Sequence, residues 1–94
     1  MDTLDATTID TALADLDGWE RDGDTIRRTY RCDGFRAAID LIVRIADRAD
    51  EANHHPELTN VYDRVEVVLT THDAGGITQK DLDLAAAIEE VASA

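Results

Sequence analysis

Residues 33–72 read DGFRAAIDLIVRIADRADEANHHPELTNVYDRVEVVLTTH, and the change of period inside this stretch decides the fold. Up to about Asp50, apolar residues return every three or four positions. Phe35, Ala38, Ile39, Ile42, Val43, Ala46 and Ala49 trace a wide stripe on one amphipathic helix, with Asp33 placed to cap its start. Beyond Pro56 the period falls to two: Val65, Val67 and Leu69 share one side of a strand, while Glu66, Val68, Thr70 and His72 share the other. A run from about Glu57 to Tyr62 pairs with it through a turn near Asp63, giving a hairpin. Pro56 disfavours helical geometry at His55, so the adjacent His54 and His55 fall at the junction of helix and hairpin.

The flanks repeat the same alternation of helix and hairpin. Upstream, Ile26, Arg28, Tyr30 and Cys32 alternate with Thr25, Arg27, Thr29 and Arg31, and Asp22-Gly23-Asp24 turns this strand back onto a short run after Trp19. Ahead of it, Ile9, Ala12, Leu13 and Leu16 recur at helical spacing from about Thr8 to Leu16, with Gly18 suited to end the helix. Downstream of the Asp73-Ala74-Gly75-Gly76 loop, Thr78 can cap a last helix with Leu84, Ala85, Ile88 and Val91 on its buried side and Asp81 in its first turn. The order predicts one α+β domain over residues 1–94, α-β-β-α-β-β-α. Its four-stranded antiparallel sheet carries three helices on one face and leaves the other free.

Composition narrows the function classes. Twenty-one acidic against nine basic residues give a formal net charge of -12, which argues against a nucleic-acid groove and against anionic membrane surfaces. Fifteen of the acids are Asp and the only lysine is Lys80. This bias reads as a surface adapted to a salt-rich cytoplasm, where self-repulsion is screened within about 10 Å or less. Cys32 is the single cysteine, so no internal disulfide forms and the residue acts as a small hydrophobe. Met1 to Asp17 holds no basic residue, unlike a secretory signal or a transit peptide, and no apolar run reaches the roughly 18 residues of a membrane span. The expected location is the cytoplasm. At this size, part of the stability is expected from self-association.

The three histidines, His54, His55 and His72, fall within one junction and one hairpin. Imidazole is the side chain whose unperturbed pKa, roughly 6.5, lies nearest neutrality. A metal site would favour helical i, i+4 ligands or nearby cysteines, and neither is present. A nucleophilic triad lacks its nucleophile, since the only serine is Ser93. General acid and base work remains, worth roughly 10² to 10⁴ per positioned imidazole. Set against it is a plainer reading in which the histidines merely end a helix and a strand. Asp81 is open in the same way, because a first-turn carboxylate is already favoured by the helix dipole.

Asp50, His54-His55-Pro56, Tyr62, His72 and Asp81 at these separations resemble the pterin-4a-carbinolamine dehydratase family. So do Gly18-Trp19, Asp33-Gly34-Phe35, Asn60-Val61-Tyr62, Thr70-Thr71-His72 and Asp81-Leu82-Asp83-Leu84-Ala85; the likeness runs from about Leu4 to Val91. It implies dehydration of a 4a-hydroxytetrahydropterin to the quinonoid dihydropterin in tetrahydropterin recycling, with no metal or organic cofactor. By the same likeness His54, His55 and His72 are catalytic, and Trp19, Pro56, Glu57, Thr71 and Asp81 bind substrate. His54 and His72 are then the acid and base in either order, with His55 assisting. The family assembles as homodimers and homotetramers through sheet edges and helices, so an oligomer is implied. Leu58 and Arg27 stand where animal members tend to carry aromatic residues. Those members also serve a homeodomain transcription factor, a role that nothing in this chain carries over. The alternative function is a non-catalytic interaction module on the same fold.

Overall fold

A computed structural model describes residues 2–93 and gives the predicted order of elements. Helix α1 spans Ala6–Leu13, strands β1 and β2 span Glu20–Asp22 and Thr25–Arg31, and helix α2 spans Phe35–Ala52. Strands β3, Glu57–Val61, and β4, Arg64–Leu69, precede a 3₁₀ turn at His72–Ala74 and helix α3, Gln79–Ala92. The sheet is antiparallel throughout in the order β1-β2-β4-β3, so the two hairpins meet through β2 and β4. Register places Ile26 opposite Leu69, Tyr30 opposite Val65 and Leu58 opposite Val67. These side chains share the face covered by the helices, and Ile26, Tyr30, Val65, Val67 and Leu69 are buried there with Ile45, Leu84 and Ile88. The opposite face carries Thr29, Arg31, Arg64 and Glu57, all exposed.

Three local expectations change. The buried side of α2 is Ala38, Leu41, Ile45 and Ala49, whereas Phe35, Ile39, Val43 and Ala46, expected in the core, face outward. The helix is apolar over two overlapping stripes, and only docking against α3 and the sheet decides which one is buried. Asp33 does not cap α2. The Cys32 N–H donates to the Asp63 carbonyl at 2.7 Å, prolonging strand geometry, and the N-cap falls on Gly34 with no side-chain bond. Finally, His72 is not carried on a strand end, because β4 stops at Leu69 and Thr71 bridges to Gly76 across the turn that holds His72.

Thr78 caps α3 as expected, within a reciprocal capping box completed by Asp81. At the far end of α2, Asn53 adopts left-handed geometry (φ 49°), and its N–H returns to the Asp50 carbonyl at 3.1 Å. That reversal brings the chain off the helix toward β3. The end of α2, the 3₁₀ turn and the start of α3 therefore converge beyond one end of the central strands.

Candidate active site

His54 is positioned from both sides. Its N–H donates to the Ala49 carbonyl at 3.1 Å, closing the end of α2, and its Nε2 lies 2.5 Å from Asp81 Oδ1 in the first turn of α3. Asp81 is 0% exposed, and among the described residues it is the only charged side chain in the buried set. In a chain with 21 acidic residues, the one carboxylate that is buried among the described residues is bonded to a histidine. Burying it without partners would be costly. The partners are there: Oδ2 accepts from the Thr71 hydroxyl at 2.8 Å and from the Thr78 N–H at 2.9 Å.

His54, His55 and His72 line a single open cavity of about 370 Å³, together with Asn53, Thr71, Asp73 and Lys80. That volume falls at the small end of the roughly 300 to 1,000 Å³ of ligand sites. His55 is the outer member: its Nε2 meets Asp50 Oδ1 at 2.9 Å in a pair that stays 60% and 80% exposed. Such a pair is worth little in stability but holds the ring at the rim. His72 is exposed on the turn across the cavity, and no hydrogen bond restrains its ring among the described residues. The site thus offers one imidazole held against a buried carboxylate, one tethered at the rim and one without a hydrogen-bond partner among the described residues.

The other expected substrate contacts are distributed unevenly. Thr71 lines the cavity, yet its hydroxyl is committed to Asp81. Asp81 has no surface of its own and reaches the cavity only through the side chains bonded to it, His54 and Thr71. Pro56 is half-buried and Glu57 exposed beside Val68 on the open sheet face, and neither lines the cavity. Nor does Trp19. Its indole is buried and its Nε1 donates at 3.1 Å to Glu89, eight residues beyond Asp81 and so roughly 12 Å farther along α3. Glu89 also receives Arg28 Nη1 at 3.0 Å and the Tyr30 hydroxyl, a knot that ties α3 to β2 away from the histidines. Burial first, and then the Glu89 hydrogen bond, push the Tyr30 phenol well above its usual range.

Four cavity residues lie outside the expected site set: Asn53, Thr70, Asp73 and Lys80. Lys80 is exposed beside the histidines and forms no ion pair among the described residues, although acids dominate the surface. Its signal was available: the only lysine in the chain immediately precedes Asp81. Asn53 left none, since its place in the wall follows from a left-handed backbone.

The sequence profile described as pterin 4 alpha carbinolamine dehydratase matches residues 2–91. The chain belongs to this family. Its named reaction is that of a hydro-lyase. A protein of Thermomicrobium roseum, provisionally named pterin-4-alpha-carbinolamine dehydratase, is 48% identical over 93 residues, covering 99% of this chain and 100% of its own. A Rhodopseudomonas palustris protein under the same provisional name is 51% identical over 83 residues, 86% of this chain and 82% of its own. A Brucella melitensis crystal structure, titled a transcriptional coactivator/pterin dehydratase, superposes with a TM-score of 0.92 at 32% identity, covering 97% of this chain and 99% of that one.

Proposed function

We propose that the chain dehydrates a 4a-hydroxytetrahydropterin to the quinonoid dihydropterin, using its histidines as acid and base. The observation that carries this reading is the His54–Asp81 pair, a buried carboxylate aligned on an imidazole in the same cavity wall as His72. Dehydration needs a proton delivered to the departing hydroxyl and another taken from a ring nitrogen, so that water leaves and a double bond forms. One imidazolium and one neutral imidazole supply both. His54 and His72 fill these roles in either order, with His55 at the rim assisting substrate binding. Lys80 adds a positive donor for a substrate oxygen. No step in this scheme calls for a metal or an organic cofactor.

The test is stopped-flow dehydration of a synthetic 4a-hydroxytetrahydropterin by the wild type and by His→Ala at positions 54, 55 and 72. Losses of about 10² or more at His54 and His72 are expected; wild-type rates in all three variants would refute the proposal. Self-association belongs to the same reading. Phe35, Ile39 and Val43 form an exposed apolar row on α2, at 53%, 37% and 56% exposure, a surface that a homodimer or homotetramer would cover. Light scattering behind size-exclusion chromatography should show an oligomer, and Ile39→Asp with Val43→Asp should shift it toward monomer. That row also favours a second reading, a non-catalytic interaction module, which predicts partner binding indifferent to all three histidine substitutions. The proposed location is the cytoplasm, where the lone thiol of Cys32 would stay reduced.

A further inference from the structure

Asp81 is held from three sides, and the direction of each hydrogen bond follows from what its donors can do. The Thr78 N–H can only donate, and it does so to Oδ2; the Thr71 hydroxyl donates to the same oxygen. Thr71 has a single hydroxyl proton, so in its 2.8 Å contact with the Thr78 hydroxyl it accepts and Thr78 donates. Thr78 Oγ1 in turn accepts from the Lys80 N–H at 3.3 Å. Each proton of this chain runs toward Oδ2, which leaves Oδ1 to face His54 Nε2. An ionised carboxylate accepts only, so Nε2 keeps its hydrogen in both protonation states of the ring, and the proton that is exchanged sits on Nδ1.

We infer that Thr71 and Thr78 are positioning residues whose hydroxyl relay, acting through Asp81, fixes His54 as the Nε2–H tautomer and makes Nδ1 its working nitrogen. Capping alone does not account for the arrangement. A cap needs an oxygen that accepts from the helix N–H groups, whereas the Thr78 hydroxyl also delivers its proton to a second buried threonine, and both residues are withdrawn from solvent with Asp81. The role in proton transfer rests on the dehydratase reading; the tautomer does not.

The test combines two readouts on the full chain. Long-range ¹H–¹⁵N spectra of histidine-labelled protein, taken where His54 is neutral, should show a pyrrole-like Nε2 and a pyridine-like Nδ1. Thr71→Val and Thr78→Val should mix the tautomers and lower kcat about tenfold or more with KM within about twofold, the scale typical of lost outer partners at a site. Thr78→Ser, which restores the hydroxyl, should recover most of both losses. Thr78→Val also removes a helix cap and can unfold the chain, so Thr71→Val, whose hydroxyl makes no capping bond, carries the test by itself. A wild-type His54 protonated on Nδ1 would overturn the inference. So would a Thr71→Val variant with a pure Nε2–H pattern and wild-type kcat. A wild type that shows the pattern but dehydrates no 4a-hydroxytetrahydropterin would refute the function and leave the tautomer standing.

Discussion

Replacing Asp81 by Asn alters one atom of the site and should reverse its proton order. The Thr78 N–H cannot become an acceptor, so the new amide keeps its oxygen on that side and turns its NH₂ toward His54 Nε2. Nε2 must then accept, and the neutral ring carries its hydrogen on Nδ1. Three bonds to a carboxylate, at 2.5, 2.8 and 2.9 Å, become bonds to a neutral amide. Charge-assisted bonds contribute about 1.5–3 kcal/mol against about 0.5–1.5 for neutral ones, and relief of a buried charge offsets part of the difference. A net loss of about 1–3 kcal/mol follows. For a domain of this size that lowers Tm by about 5–20 °C. The activity loss should exceed what stability explains: about 10² or more in kcat. The ceiling is near the roughly 10⁴ that Asp→Asn costs in the serine-protease triad, where the same tautomer inversion operates. Stopped-flow dehydration rates and circular-dichroism melting, measured on the same preparations, check both parts. On the proposed mechanism Asp81 serves the reaction through His54, so adding Asp81→Asn to His54→Ala should cost almost nothing further in kcat. A folded Asp81→Asn variant within about threefold of wild-type kcat would refute this coupling.

Lys80→Ala should raise KM about threefold to tenfold and change kcat little, since the ammonium binds without exchanging a reaction proton; a pure kcat effect in steady-state kinetics would contradict this placement. Tyr30→Phe should lower stability by about 1 kcal/mol near pH 7 through loss of the Glu89 hydrogen bond. Because the folded phenol titrates above its unfolded value of about 10, its contribution is present below pH 10 and lost as pH rises beyond it. Urea midpoints of wild type and Tyr30→Phe should therefore converge in alkali, and a widening gap would count against the buried phenol. Raising KCl from low concentration to about 1 M should raise Tm, since a net charge of -12 leaves mostly like-charge repulsion to be screened; an unchanged or falling Tm would remove the salt-adapted reading of the surface.

Much of the site could be read in advance because its parts are local. The Pro56 break put the histidine pair at a helix end, and Thr78 marked the cap of the last helix with Asp81 in its first turn, which the structure closes into a capping box. The sequence could not show that Asp81 leaves the helix surface to meet His54, which lies 27 positions earlier in the chain. Trp19 shows the converse. Its neighbours in sequence resemble those of a site residue, while its indole belongs to the Glu89 knot.

The sequence by itself determined the order of elements, the antiparallel pairing and the placement of His54 and His55 at a helix-to-strand junction, because periods of 3.6 and 2 and the breaks between them are set by neighbouring residues. Tertiary structure alone decided which of two apolar stripes of α2 faces the sheet, that His72 rides a 3₁₀ turn, and that one carboxylate among 21 acidic residues is buried against an imidazole. Those outcomes depend on how α2, β4 and α3 dock. The stripe chosen is the one whose Leu41 and Ile45 fill the space over the sheet, and Asp81 can be buried only where Thr71, Thr78 and His54 arrive together to satisfy it.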